Sequence, residues 1–347
     1  MLAVSLLSNI YPNLPFVIQF IFFLIISPTI LYIAVKSKKK TSSLQISSLI
    51  MVQFLLGFYY SFTLSNYFHI VFGFLLFPYI LYARWIRNQM VFKDRKFSIL
   101  KREQHSILMD MELAKAIQES LFPPQSRIKG LKYVVFRKPY TKLGGDFYDF
   151  VRLREGNTGL FLTDVAGHGI PASMIAAMLK VLVASMPYSF KTDPSKFLTF
   201  LDERMSKDFP SQHASALYVY IDFQLKSFRV ASAGHPYPMF AKKGKDFVEI
   251  ETEGSILGYN IRKPIASNRD FQYKKGDRLV LFTDGITEFT NSDGKMIDTD
   301  GLLRILNEHR QEKNLEEFLE KVIAKIKNFY LGKDFSDDAM LLICELE

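Results

Sequence analysis

The sequence predicts an α+β domain behind an apolar, basic N-terminal region. Past residue 123, short β-type runs succeed one another with hairpin-like spacing: "KYVVFRKP", "FYDFVRL", "GLFLTDV", "SALYVYIDF", "SFRVASAG", "RLVLFTDG" and "AMLLICEL". Helical stretches at 171–184, 195–207, 301–309 and 315–330 fall in blocks between them, which argues against regular βαβ winding. The charge is also unevenly placed. Seven of the nine net positive charges, Lys36, Lys38, Lys39, Lys40, Arg84, Arg87 and Lys93, precede Asp94, the first acidic residue. The C-terminal domain is therefore near neutral, and a nucleic-acid partner, which requires Lys and Arg clustered on the folded domain, is not expected.

The N-terminal region, 1–84, reads as three membrane spans, at about 16–35, 44–64 and 67–83. The first is uncharged over roughly the 20 residues that cross a hydrocarbon core. The second is weakened by Gln45, Ser47, Ser48 and Gln53, and the third is short. "KSKKK" and "RWIRNQMVFK" fall on one side of a three-span arrangement, so the positive-inside rule puts the C-terminal domain in the cytoplasm. A cleaved signal peptide is disfavoured, because the start carries no basic residue and no small-residue cleavage pattern follows. The expected location is a membrane, crossed several times, with the C-terminal domain on its cytoplasmic side.

Residues 85–122 read as a linker helix, since no Gly or Pro occurs from Trp85 to Leu121 and Pro123 with Pro124 stop it. Phe97, Leu100, Gln104, Ile107, Met111, Ala114, Gln118 and Leu121 step by alternating fours and threes, the seam of a parallel two-stranded coil. Two arrangements are open: a homodimeric coiled coil, or an amphipathic helix packed on its own catalytic domain. The catalytic domain is then 123–347. Cys344 lies alone in the apolar run "MLLICEL", which excludes an intrachain disulfide and reads as a buried thiol.

The chemistry lies at the ends of the apolar runs. Asp146 in "LGGDFYDF", Asp164 in "LTDVAGHG", Asp284 in "FTDGITE" and the pair Asp337 and Asp338 in "FSDDAMLL" each abut one. Singly, these are turn or capping residues. Together they are carboxylates that repel and resist desolvation unless a cation sits among them. With no Cys/His cluster at zinc spacing, an all-oxygen set points to Mg²⁺ or Mn²⁺, and four or more carboxylates suit a pair of ions.

The ordered set "GGDFYD", "DVAGHGIPA", "SAGHPYP", "LFTDGITE" and "DDAMLL" resembles the bacterial SpoIIE/RsbU-type branch of the metal-dependent (PPM) serine/threonine phosphatases, over about residues 112–347. The resemblance implies an αββα sandwich holding two Mn²⁺ or Mg²⁺ ions. By motif, Asp164 would bridge both ions, Asp146 and the Val165 carbonyl would serve one, and Asp284 with Asp337 the other. It implies hydrolysis by a dimetal-activated water attacking phosphorus directly. The substrate it implies is a phosphorylated anti-sigma-factor antagonist of STAS type. His168 lies four residues after Asp164, where relatives with an acid histidine place it two after, so a structural role is expected; His235 in "AGHPYP" is expected to organise a turn. Asp149 and Asp338 are left between supporting and turn roles, and Met340 departs from the Thr that many relatives carry.

The expected function is thus a membrane-anchored protein serine/threonine phosphatase, with the spans biasing the linker and the linker setting the competence of the metal site. The alternative is a non-enzymatic membrane receptor whose phosphatase-like domain only binds a partner. A diguanylate cyclase, suggested by "GGDF", is disfavoured because Phe147 occupies the acidic position of that motif.

Overall fold

A computed structural model describes residues 68–124, 128–288, 290–291, 294–330 and 335–347. The chain divides into two compact units, residues 1–100 and 101–347. The candidate spans at 16–35 and 44–64 lie outside the described residues. The third, 67–83, falls at the start of helix α1 (Phe68–Leu121), and among the described residues no helix is long and apolar enough to cross a membrane.

The second unit holds two five-stranded sheets, antiparallel throughout. One has the order β1 (Leu131–Lys138), β10 (Ala339–Leu346), β9 (Arg278–Phe282), β6 (Met239–Ala241), β7 (Val248–Glu249). The other runs β2 (Phe147–Arg152), β3 (Thr158–Val165), β4 (Ala214–Asp222), β5 (Ser227–Ala233), β8 (Arg269–Gln272). Helices α2 (Ile170–Ser185), α3 (Tyr188–Lys191) and α4 (Pro194–Asp208) follow β3. Helices α5 (Asp298–His309) and α6 (Leu315–Phe329) precede β10.

Alternation along the strands decides the layering. On β3, Leu160 and Leu162 point one way and Phe161 and Val165 the other, and all four are buried. Leu160 and Leu162 meet Leu217, Val219, Leu279, Leu281, Leu342 and Cys344 in the layer between the sheets. Phe161 and Tyr218 face α2 and α4 through Leu179, Val183, Phe197 and Leu201. On the far side Val280, Phe282, Leu341 and Ile343 meet Leu302 and Leu306 of α5 and Phe318, Val322 and Ile326 of α6. A strand buried on both faces loses the polar half of its alternation, which is why β3, β9 and β10 read as continuous apolar runs. The result is an αββα sandwich.

The helices start where the sequence caps them. Asp193 accepts the Lys196 N–H at 3.3 Å ahead of Pro194 in the first turn of α4. Asn314 accepts the N–H groups of Glu316 and Glu317 at 2.9 and 3.2 Å, with both glutamates in the positive first turn of α6.

Of the two linker arrangements, residues 111–121 take the second. Gln118 is buried, and Met111, Ala114 and Leu121 are half-buried, while Phe97, Leu100 and Ile107 are exposed. The Gln118 side chain bonds the Gly144 peptide on both sides, Nε2 donating to its carbonyl at 2.7 Å and Oε1 accepting its N–H at 3.4 Å. A glutamine expected as an interruption of the seam is thus one of the residues that fasten the last turns of α1 within the second unit. The short strands β6, β7 and β8 and the one-turn α3 were not expected, being two to four residues long with no periodicity of their own.

The layer between the sheets has no polar substitute for its packing. Leu342→Ala, at a fully buried site, is expected to lower unfolding free energy by about 2–5 kcal/mol, read as a shifted urea midpoint at unchanged slope.

Candidate metal centre

Strand register brings the acidic loops together. β2 begins at Phe147 opposite Thr163, which sets Asp146 next to Asp164 near the end of β3. In the other sheet β9 ends at Phe282 opposite Leu341, so Asp284 just after β9 shares an end with Asp337 and Asp338 just before β10. Two hydrogen bonds then join the ends across the sandwich. Thr283 Oγ1 donates to Asp146 Oδ2 at 2.7 Å. Asp338 Oδ2 accepts the Gly145 N–H at 2.5 Å while its Oδ1 accepts the Tyr140 N–H at 2.7 Å.

The glycines of "LGGD" follow from this closeness. A Cβ on Gly144 would lie 2.6 Å from Asp338 Oδ2, and one on Gly145 would lie 2.6 Å from the Val165 carbonyl oxygen. Gly285 is equally constrained, since its Cβ would stand 1.9 Å from the Asp338 carbonyl oxygen. Here glycine serves close backbone approach rather than turn formation.

The electrostatics are those of uncompensated negative charge. Burial pushes the Asp146 carboxyl well above its usual range, and the Asp164 charge pushes it further. Asp164 rises to about 7, through burial first and then the charges of Asp284, Asp337 and Asp338. Asp284 is raised by burial and by Glu288 and Asp337; Asp338 is raised by burial against the opposing effect of its backbone donors. The Asp146 and Asp164 carboxylates therefore oppose one another's ionisation.

Among the described residues no three His, Cys, Asp or Glu side chains converge on one point at ligand distance. Whether the residues fit a cation is decided by Asp146 Oδ1, which is buried without any hydrogen-bond partner. Such an acceptor, in a setting of other carboxylates and the Val165 carbonyl, costs on the order of 1–3 kcal/mol unless something positive meets it. The donor set fits: it is all oxygen and suits a hard divalent cation.

The remaining sequence candidates separate clearly. Asp337 is exposed at the mouth and accepts the Asp338 N–H at 2.8 Å; Asp338 is buried and pins the Gly-Gly segment. Asp149 pairs instead with Lys180 of α2 at 3.3 Å, joining sheet to helix. His168 is exposed, its ring edge-on to Tyr140 at 6.0 Å. His235 is buried, and burial pushes its pKa down to about 3. Met340 packs between the sheets. Thr283 and Gln118 were missed as site residues; the signal for Thr283 was a hydroxyl inside an otherwise apolar strand end.

The sequence pattern of Stage II sporulation protein E (SpoIIE) matches residues 154–347. The chain belongs to the SpoIIE family. The chain is similar to the phosphoserine phosphatase RsbU of Bacillus subtilis, 28% identical over 252 residues, a match covering 68% of this chain and 71% of RsbU. The phosphoserine phosphatase RsbP of the same organism is 22% identical over 250 residues, covering 69% of this chain and 58% of RsbP. The solved SiaA-PP2C domain of Pseudomonas aeruginosa shares the fold at a TM-score of 0.62 and 20% identity, over 70% of this chain and 98% of that domain.

Raised carboxyl pKa values make a signed prediction. A group whose folded pKa lies above its unfolded value contributes stability that is present below the unfolded pKa and lost as pH rises through the folded one. For Asp164 that window runs from about pH 4 to about pH 7. Metal-free protein is therefore expected to lose thermal stability from pH 5 to pH 8. Asp164→Asn should recover a contribution on the order of 2–4 kcal/mol at pH 8 while abolishing stabilisation by Mn²⁺, both read by thermal unfolding.

Proposed function

We propose that the chain is a membrane-anchored, metal-dependent protein serine/threonine phosphatase that acts on a phosphorylated signalling partner of the anti-sigma-factor-antagonist, STAS-like class. The observation that carries the metal-dependent part is the buried, partnerless Asp146 Oδ1 beside Asp164, at the end of the sandwich where both sheets present carboxylates. Family membership and the phosphoserine phosphatase relatives support the reaction class.

In this reading Asp146, Asp164, Asp284, Asp337 and the Val165 carbonyl hold two Mn²⁺ or Mg²⁺ ions. Bound there, such a pair supplies a water acidified to near neutral pH and positive charge for the phosphoryl oxygens. The protein's own part is preorganisation. Thr283 fixes one oxygen of Asp146 and so aims the other; Asp338, through Gly145 and Tyr140, holds the segment that carries Asp146; Gly145 leaves the Val165 carbonyl uncovered. Asp337 and His168 are exposed, so a phosphorylated side chain would approach the site from their side.

The linker reading gains support from what α1 touches. Besides Gln118 on Gly144, Glu119 pairs with Arg137 at 2.8 Å and Glu112 with Lys142 at 2.6 Å, so the last turns of α1 bracket the segment leading to Asp146. A homodimer formed through the exposed apolar residues Phe97, Leu100 and Ile107, with the N-terminal spans in the inner membrane and the domain in the cytoplasm, would act on the site along this route.

With Mn²⁺ the protein is expected to release phosphate from a phosphoserine STAS-domain protein. EDTA or Asp164→Asn should reduce the rate at least 10²-fold; metal uptake without turnover would leave the receptor alternative standing. Full-length chain is expected to stay with membranes through an alkaline wash, whereas residues 101–347 should remain in the supernatant.

A further inference from the structure

We infer that His235 is a positioning residue for the metal centre, a buried imidazole that holds the Asp164 strand end and the Asp284 strand end in fixed relation. This deepens the metal-site reading above and rests on it. Asp164 pairs across β3 and β4 with Ser215, and Ser215 Oγ lies 2.7 Å from His235 Nδ1. His235 itself lies in the segment that crosses from β5, in the sheet of Asp164, to β6, which pairs with β9, the strand that leads to Asp284. The imidazole thus tethers to Ser215, across from Asp164, the segment that crosses to the sheet carrying Asp284.

The expected role as a turn organiser does not account for the ring. The turn is closed by Ser232, whose Oγ accepts the His235 N–H at 3.1 Å and donates to the His235 carbonyl at 2.9 Å, and Gly234 bridges to Ala216 at a φ of 67°. At residue 235 all of that uses backbone groups alone and would survive a change of side chain there. A ring 4% exposed, whose Nε2 lacks a well-formed hydrogen bond, is a costly way to fill a core that Phe or Leu would fill without loss. Burial keeps the imidazole neutral at ordinary pH, so it acts by geometry, without acid–base chemistry. Partners that orient metal ligands from behind typically control metal affinity by about 10–100-fold.

The test uses full-length, metal-stripped protein titrated calorimetrically with Mn²⁺, alongside turnover at limiting and saturating Mn²⁺. His235→Phe, which keeps a ring without nitrogens, and Ser215→Ala are each expected to raise the Mn²⁺ Kd about 10–100-fold, with kcat recovering at saturation. His235→Gln, which keeps a donor and an acceptor, should restore most of the affinity. The double variant should be no worse than His235→Phe alone, because both remove one connection. Unchanged Kd with only a lower melting temperature, or fully additive losses, would overturn the proposal. If His235→Phe does not fold, Ser215→Ala decides by the same criterion. Wild-type protein that takes up no Mn²⁺ would instead overturn the metal-site reading, an outcome separate from variants that bind as tightly as wild type.

Discussion

Negative charge held away from water, at the end of a sandwich, is the constraint around which the catalytic unit is organised. Asp146, Asp164, Asp284 and Asp338 each have a raised pKa, with burial as the leading cause in every case. A fold maintains that arrangement only if the surrounding packing overrides it. Three apolar layers do so, and the charged loops are fastened by few but short bonds, Thr283 to Asp146 and Asp338 to Gly145 among them. The strain explains why the loops are rich in glycine: backbone must approach carboxylate and carbonyl oxygens more closely than a Cβ permits.

Much of the fold was legible because burial on both faces gives strands a plain apolar signature, and because Pro123 and Pro124 mark the end of the linker helix in a way that depends only on neighbours in sequence. The layer order was not legible from periodicity; it came from family resemblance, and the alternation of Leu160, Phe161 and Leu162 supplies its physical reason. The strands β6 to β8 escaped because their pairing partners, not their own residues, make them strands.

At the site, the carboxylates themselves were legible as polar ends on apolar runs. Their division of labour was not. Asp337 and Asp338 are adjacent and chemically identical, yet one is exposed and the other accepts backbone bonds from Gly145 and Tyr140, residues nearly two hundred positions away. Long-range partnership of that kind leaves no local trace. Gln118 misled for the same reason: in a heptad it reads as a polar interruption, while in three dimensions it finds the Gly144 peptide.

The lone thiol offers a practical consequence. Cys344 sits fully enclosed in the layer between the sheets, and burial raises its pKa far beyond the physiological range, so it remains a protonated, inert filler. Preparations can therefore dispense with sulfhydryl reductants, which would themselves sequester manganese. A maleimide added to the folded protein would react only when the two sheets part, turning this one sulfur into a clock for global opening.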